Sequence, residues 1–456
     1  MDKTLFPLPG AQESKQNGEE NKPRVNRPNR QQIEWRAVDL ESTLATDHPA
    51  RLVWDFVQQL DLSAWYAEIR AVEGHAGRDA IDPAVLMALW LFATLEGVGS
   101  ARALERLCEE HDAYRWLCGG VSVNYHTLSD FRVGHADYLD ALLTRSVAAL
   151  IADGLVTLQR VAQDGMHVPA SAGSSSFRRR GKLEEHLQKA KAQVDALRQE
   201  LESEPQATSK RQGVARQRAA RERQERLEKA LKRLNEIEGE PKEPVAKVKV
   251  GPAATKKKPK KKERQREPRA SSTDAEARVM KMSDGGFRPA YDVQYATDTQ
   301  TQVIAGVIVS NQGNDKGQLG DMQKQLENRY GYRSKEALVD GGYVQYTDFT
   351  EVSQKGTVIY APPPNYRSNQ PDPYQPQAKD TPAIAAWRLR MATEPAKEIY
   401  KQRAATAECV NAIAHNRGLQ AFRVRGLAKV RAVALWYALV HTLMRGRVLH
   451  LAAQIA

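Results

Sequence analysis

The sequence predicts an α/β protein with an all-helical N-terminal domain and a mixed five-stranded sheet that carries helices on both faces. From residue 52 to 150, apolar residues recur at three- and four-residue spacing, which is typical of helices that bury one face. After Leu155, short strand-like segments alternate with helical ones, which is typical of a sheet covered by helices. A highly charged helical segment near residue 180 interrupts the strands and therefore indicates an insertion.

The 456 residues are enough for two or three domains with a substantial core. The three cysteines form neither an even framework nor a CxxC pair, which argues for a reducing compartment and against a zinc site. Residues 1–32 are polar and rich in proline, so we expect a disordered tail and no secretion signal. The longest apolar stretches, 84–95 and 433–443, are shorter than the roughly 20 residues that a bilayer requires. We therefore expect a cytoplasmic protein without a membrane span.

The positive charge of the chain is concentrated in one segment. The formal net charge is +12, and residues 241–270 hold twelve Lys or Arg against three Glu, which leaves +9 there and +3 elsewhere. A polyanionic partner must therefore be met by local patches and by this one segment. We predict that 241–279 is a basic flexible linker. Its lysines at 256, 257 and 258 either form a solvated linker or attract phosphates.

The predicted helical domain covers residues 33–155 and is a candidate for DNA binding or assembly. Asp82 before Pro83 and the segment from Thr127 to Ser129 offer helix-capping signals. The stretch VNYHTLSDFR at 123–132 resembles the start of a helix that contacts DNA through His126, with Arg132 as a further candidate. Capping and packing roles for the same residues stay open.

Residues 181–240 are predicted to form an inserted antiparallel helical hairpin. Apolar residues from Leu183 to Leu201 are spaced 4, 3, 4, 3 and 4 apart, which is a heptad pattern, and a second charged helix extends to about Ile237. A dimerising coiled coil is the alternative. The hairpin is either a spacer or a surface that contacts DNA or a protein partner.

With residues 170–285 left out, the chain reads strand, strand, strand, helix, strand, helix, strand, helix. This order predicts three antiparallel strands extended by two parallel ones, in a domain formed by 156–180 and 280–456. In such a sheet the first and fourth strands are neighbours. Their carboxyl ends carry Asp164 and Asp340, so we expect these two carboxylates side by side.

Two neighbouring carboxylates repel each other, and partial burial increases that cost, so the pair predicts a bound cation. Oxygen ligands without Cys or clustered His favour magnesium or manganese over zinc. Two such ions about 3.5 to 4 Å apart are the usual arrangement for in-line displacement at phosphorus. The neighbouring Gly165, Gly341 and Gly342 are interpreted as room for a phosphate backbone.

A third carboxylate from the following helix would complete the site, and the candidates are Glu394, Glu398 and Glu408. The first two flank Pro395 at a helix start, where acids are common because of the helix dipole. Glu408 lies among small and apolar residues, where a charge is less expected. His415, seven residues later, shares its helix face, so we choose Glu408.

Together these segments resemble the bacterial insertion-sequence transposases with a DDE catalytic domain, in the large group with a helical N-terminal domain and a long helical insertion. The resemblance covers most of residues 34–450 and depends on VNYHTLSDFR, DGMHVPASAG, RPAYDVQYATD, ALVDGGY, YKQRAATAECV and FRVRGLAKVRAVALWYALVHTLMR. It implies an RNase H-like fold in which Asp164, Asp340 and Glu408 bind two Mg²⁺, or Mn²⁺. It also implies cleavage of double-stranded DNA at terminal inverted repeats and strand transfer into target DNA. Relatives act in the bacterial nucleoid, as dimers or larger complexes on paired ends.

The chain departs from the pattern of many relatives at two places. Four residues separate Arg403 from Glu408 where relatives have three, and His415 stands where they have Lys. On a regular α-helix the extra residue rotates Arg403 away from the face of Glu408. Arg403 and His415 are candidates for contact with DNA, and this rotation speaks against the phosphate-contact roles of Arg403 and Tyr400.

Two other functions remain open alongside a transposase. One is a catalytically silent DNA-binding protein derived from a transposase, acting as a repressor or architectural factor, although the chain retains all three acids. The other is a nuclease of the same fold that never joins a cut end to a second duplex.

Overall fold

The computed structural model describes residues 39–69, 71, 79–203, 210–239, 267–364 and 372–455. The predicted N-terminal tail 1–32 lies outside the described residues, and so does the lysine-rich part of the predicted linker.

Among the described residues, seven α-helices precede the first strand. They are α1 (Pro49–Gln58), α2 (Ser63–Ala67), α3 (Pro83–Leu95), α4 (Ala101–Glu110), α5 (Asp112–Cys118), α6 (Tyr125–Gly134) and α7 (Ala136–Ala152). Asp82 caps α3 as predicted, because its Oδ1 accepts a hydrogen bond of 2.8 Å from the amide of Ala84. The cap of α6 is Asn124, whose Oδ1 accepts from the amide of Thr127.

The described strands form a six-stranded mixed sheet and a separate two-stranded one, so the prediction of five strands is wrong by one, because β4 adds to β5. They are β1 (Arg160–Pro169), β2 (Phe177–Arg178), β3 (Ala270–Ser271), β4 (Arg278–Lys281), β5 (Phe287–Asp298), β6 (Ile304–Ser310), β7 (Glu336–Leu338) and β8 (Val358–Tyr360). Antiparallel β5 lies on one side of β1, and parallel β7 and β8 follow on the other. Both β4 and β6 pair with β5, and β2 pairs with β3. The predicted neighbourhood of the first strand and the strand before Asp340 is confirmed.

The helices after the first strand are long at both the insertion and the end of the described chain. They are α8 (Arg180–Ser203), α9 (Lys210–Gly239), α10 (Gln318–Tyr330), α11 (Tyr346–Gln354), α12 (Pro382–Ala392), α13 (Glu394–Arg403), α14 (Cys409–Asn416) and α15 (Leu427–Ile455). A π-helical turn, Ala404–Glu408, joins α13 to α14.

Side chains of β1 reach two hydrophobic cores. Val161 and Val168 belong to a core that contains α15 residues, and Ala162 belongs to a core with Leu319, Phe349 and Trp387.

Helix α15 is the centre of the larger core. It packs against α3, α6 and α7 on one side and against β5 and β6 on the other. It is long and apolar enough to cross a membrane by length and composition alone, but most of its apolar stretch is buried inside the protein. The helix is therefore a core helix, and it joins the N-terminal helices to the sheet.

Helices α8 and α9 pack along each other. Leu183 and Ala190 of α8 are buried against Leu227 and Leu234 of α9. Arg180, at the start of α8, donates hydrogen bonds to side chains near the end of α9, so the two helices run antiparallel. Their connection, 204–209, lies outside the described residues, and the hairpin stays a prediction.

One predicted boundary is wrong. The predicted linker 241–279 contains β3 and the start of β4 in its last part, where Ala270 and Ser271 are buried. Helix α12, which is capped by Thr381 and begins at Pro382, lies in a stretch for which no element was predicted.

The pH dependence of stability tests the burial of His441 in α15. Its Nε2 lies 2.8 Å from the carbonyl oxygen of Gln302, and burial lowers its pKa to about 4. Unfolding returns the pKa to about 6.5, so acid favours the unfolded chain, and the neutral-His contribution is lost between pH 6.5 and 4. We expect wild type to lose roughly 3 kcal/mol more than His441→Gln between pH 7 and pH 4, measured by denaturant unfolding. Equal losses in the two proteins would contradict this burial.

Candidate active site

Asp164 and Asp340 lie abreast at the end of the parallel β1–β7 ladder. The last pair of that ladder is Ala162 with Leu338, and each aspartate follows its strand's last paired residue by two positions. Strand β1 continues past Asp164 to Pro169, paired only with β5, so Asp164 lies inside the strand and does not end it as the sequence indicated. The amide of Gly342 donates to Oδ1 of Asp340 at 2.7 Å and orients that carboxylate.

Arg403 joins the first and third predicted acids. Its Nη1 lies 3.3 Å from Oδ1 of Asp164, and its Nη2 lies 3.3 Å from Oε1 of Glu408. Asn411, one turn beyond Glu408, donates to the other oxygen of Asp164 at 3.1 Å. The guanidinium therefore lies between two carboxylates that are 244 positions apart in the chain.

The expectation that Arg403 points away from Glu408 is wrong. The turn between them, Ala404–Glu408, is π-helical, with hydrogen bonds between residues five apart in place of four. The extra residue is taken up within that single turn, so Arg403 and Glu408 stay on one face. The four-residue spacing between Arg403 and Glu408 is thus present, but it does not rotate Arg403 away from Glu408.

The electrostatics of Asp164 reflect its partial burial. Burial raises its pKa to about 6, Arg403 opposes that rise, and Asp340 adds to it. The side chain is 17% exposed, whereas that of Glu408 is 59% exposed. Glu408 can therefore change its position at little cost, while Asp164 is fixed by the strand.

A buried polar network lies on the other face of β1 and was not predicted. Gln294 is at its centre: its Nε2 donates to Asp292 at 2.8 Å and to Asp315 at 2.9 Å, and its Oε1 accepts from the hydroxyl of Tyr343. Burial and the neighbouring Asp315 raise the pKa of Asp292 well above its usual value, which favours the neutral acid. The available signal was YDVQ, where polar residues alternate along an otherwise apolar strand.

Gly165 has a different purpose from the one predicted. A Cβ at this position would lie 2.7 Å from an oxygen of Asp292 and 2.9 Å from an oxygen of Asp315. The glycine therefore makes room for the carboxylates of the buried network. Gly342 is crowded in the same way by Asp340 and Asp315.

The prediction that Arg132 contacts DNA is wrong. It is 6% exposed, its Nη1 donates to the carbonyl of Gly99, and its guanidinium stacks over Trp90 at 4.6 Å. The residue holds the helical core together and does not face solvent. His126 and His415 are exposed, and their contacts with DNA stay predictions. Lys256, Lys257 and Lys258 lie outside the described residues.

The three predicted acids are not gathered around one point. Within the described part of the chain, no group of three or more His, Cys, Asp or Glu side chains is close enough to hold a metal ion. Asp164 and Asp340 have the strand positions that would hold one, and all three side chains offer oxygen donors suited to magnesium or manganese. Glu408 is separated from Asp164 by the Arg403 guanidinium. The unchosen candidates, Glu394 and Glu398, form surface ion pairs with Lys397 and Lys401.

A glycine substitution tests the buried network. We expect Gly165→Ala to lower the free energy of unfolding by about 1–3 kcal/mol, because the added methyl group overlaps two carboxylates. Gly173→Ala is the matched control, since a Cβ there meets only Ser175 Oγ at 3.5 Å. Thermal unfolding measures both variants. If the Gly165→Ala protein is as stable as the Gly173→Ala protein, the carboxylates of Asp292 and Asp315 can move aside without a loss of stability, which contradicts the prediction.

Two family models match segments of this chain. Residues 38–133 match a family model described as a transposase domain (DUF772), and residues 253–443 match a transposase DDE domain. The first match covers helices α1 to α6, and the second contains Asp340 and Glu408 but not Asp164. Searches of curated proteins and of solved structures gave no match.

The two matched segments together cover more than half of the chain, with the transposase domain before the DDE domain. Two of the three predicted acids, Asp340 and Glu408, lie within the second segment. The protein belongs to the insertion-sequence transposases that carry a DDE domain.

Proposed function

We propose that the protein cleaves DNA at the ends of its own insertion sequence and transfers the freed 3′-hydroxyl into target DNA, on an RNase H-like domain. The observation that carries this proposal is the placement of Asp164 and Asp340 abreast at one ladder end, with Glu408 joined to Asp164 through Arg403. Two neighbouring aspartate carboxylates repel each other unless cations neutralise them. A site for phosphoryl transfer uses such a pair, because the cations that it holds also neutralise charge at the attacking and leaving oxygens.

Asp164, Asp340 and Glu408 are proposed to hold two Mg²⁺, with Mn²⁺ as a substitute. When bound, such ions activate the attacking oxygen and stabilise the leaving one. The fixed residues are the two aspartates, whose strands set their separation. Glu408 is the adjustable ligand, because its side chain is mostly exposed and extends from a helix.

Arg403 is proposed as a positioning residue. In this conformation its positive charge holds the Asp164 and Glu408 carboxylates near each other and offsets their repulsion. A phosphodiester that enters the site meets the same guanidinium, which can bind two phosphate oxygens at once. Tyr400, one turn earlier, lies near enough to Asp164 and Asp340 for both to raise its pKa, after the larger effect of burial.

The partners proposed are double-stranded DNA at terminal inverted repeats and at target sites, bound by a homodimer or larger complex in the bacterial cytoplasm. The helices of residues 33–155, with exposed His126, are proposed to contribute DNA binding or assembly. Transposases act on DNA, so the family supports the first part of this proposal.

A catalytically silent DNA-binding protein is the second candidate. The observation in its favour is the Arg403 guanidinium, which stands between two of the three acids. A silent protein would bind the same DNA and make no cut.

Substitution of the acids separates these two functions. We expect Asp340→Ala and Glu408→Gln to lower cleavage of supercoiled DNA carrying the inverted repeats by at least about 1,000-fold, or ~4 kcal/mol of barrier, because each removes a proposed metal ligand. Gel-shift binding should be unchanged. Glu398→Gln is the control, since Glu398 forms only a surface ion pair with Lys401. Cleavage by Asp340→Ala in magnesium at the wild-type rate would end the catalytic assignment.

Changing the number of residues in the π-helical turn tests whether Arg403 must face Glu408. Deletion of Ala404 shortens the turn to α-helical spacing and keeps Arg403 and Glu408 on one face, so we expect cleavage within about threefold of wild type, or less than ~1 kcal/mol. Insertion of one alanine after Ala404 rotates Arg403 by roughly 100° and should abolish cleavage. The same DNA assay measures both. Equal activity of the two variants would show that Arg403 need not face Glu408.

A further inference from the structure

A basic cavity of about 340 Å³ lies where the inserted helices meet the rest of the molecule. Its polar lining comes from α8, α9, the turn after β3 and the loop before α15. The residues are His186, Arg223, Arg226, Ser272, Thr273 and Arg425. No carboxylate is among the described residues that line it. Three guanidinium groups and two hydroxyl groups around one space form a donor set suited to an anion.

The charge of this cavity is not compensated within the inserted helices. Some basic side chains of α8 and α9 pair with glutamates, as Arg180 does with Glu238 and Arg218 with Glu222. Among described residues, neither Arg223 nor Arg226 forms such an ion pair. These two guanidinium groups both line a cavity whose described lining holds no carboxylate, which indicates an anion-binding role.

The loop that carries Arg425 lies beside the face of the sheet that carries Asp164. Asp164 pairs with Tyr295, and Tyr291 lies on the same face because it is four residues away along β5. The Tyr291 ring packs on Phe422, which lies three residues before the cavity residue Arg425.

The distance from the cavity to the predicted acids follows from the strand. Arg425 Nε donates to the carbonyl of Ser171 at 3.3 Å, which fixes the loop beside the chain just after β1. Ser171 lies seven positions after Asp164, five of them along β1, so the cavity lies on the order of 20 Å from that carboxylate.

We propose that this cavity binds one backbone phosphate of the duplex DNA, on the order of six base pairs from the bond that is cut, given the rise of about 3.4 Å per base pair. Arginines hold phosphate oxygens by paired hydrogen bonds, and such contacts set the register of the protein on the duplex. The inserted helices thereby become part of the DNA-binding surface. This inference rests on the proposed function and extends it to a second contact.

The test compares two charge-matched double variants of full-length protein on the same helix. Arg223→Ala/Arg226→Ala removes the cavity charges, and Arg218→Ala/Lys229→Ala removes two charges of α9 outside the cavity. Affinity for a mixed-sequence duplex is measured at several salt concentrations. For the cavity variant we expect roughly tenfold weaker binding and a salt slope smaller by about 1, as for the loss of one phosphate contact. The control variant should stay close to wild type.

Phosphate ethylation interference on the inverted-repeat duplex locates the contact. Ethylation on the order of six base pairs from the cut should weaken binding of wild type but not of the cavity variant. An unchanged salt slope for the cavity variant overturns the inference, and so does an equal loss in the control, which would mean diffuse charge attraction. A wild-type protein that cleaves DNA while the cavity variant binds normally overturns this inference alone. Wild type that binds DNA with these contacts but never cuts it overturns the catalytic proposal alone.

Discussion

The parallel pairing of β1 with β7 is the constraint on which the rest of the site depends. Only three residue pairs join the strands, yet they set Asp164 and Asp340 at equivalent positions past the ladder's end. The far end of the same ladder is fixed by the Arg160–Glu336 ion pair of 2.6 Å, and Arg160 also donates to Gln402 of α13. One arginine thus ties the helix that carries Arg403 to the strands that carry the aspartates. Neither aspartate could be placed by its local sequence alone.

Packing on both faces of the sheet keeps this ladder in place. On one face α15 fills the space between the N-terminal helices and β5 and β6, so the helical part and the sheet share one apolar core. On the other face, the single amide group of Gln294 donates to the carboxylates of Asp292 and Asp315, which offsets part of the cost of burying them. The crowding at Gly165 shows how little space that network leaves.

Much of the fold could be predicted because its signals are local or follow from element order. The Asp82 cap, the helical spacing of the first domain and the neighbourhood of the first and fourth strands all follow from such patterns. The predictions that failed depend on tertiary contacts. From the sequence Arg132 is expected to be a basic surface residue, but in the fold it packs on Trp90 and donates to Gly99. Asp292 and Asp315 are connected only through Gln294, and the Arg403–Glu408 contact depends on a π-helical turn that residue types do not predict.

The π-helical turn also bears on how such sites are found in other sequences. A helix that changes its hydrogen-bond ladder for one turn absorbs a single inserted residue without displacing what precedes or follows it. The number of residues between an arginine and its partner glutamate can then differ between chains, while the two side chains still share one helix face. Pattern searches that demand one fixed interval would discard chains like this one, and allowing one residue of slack at the turn would recover them.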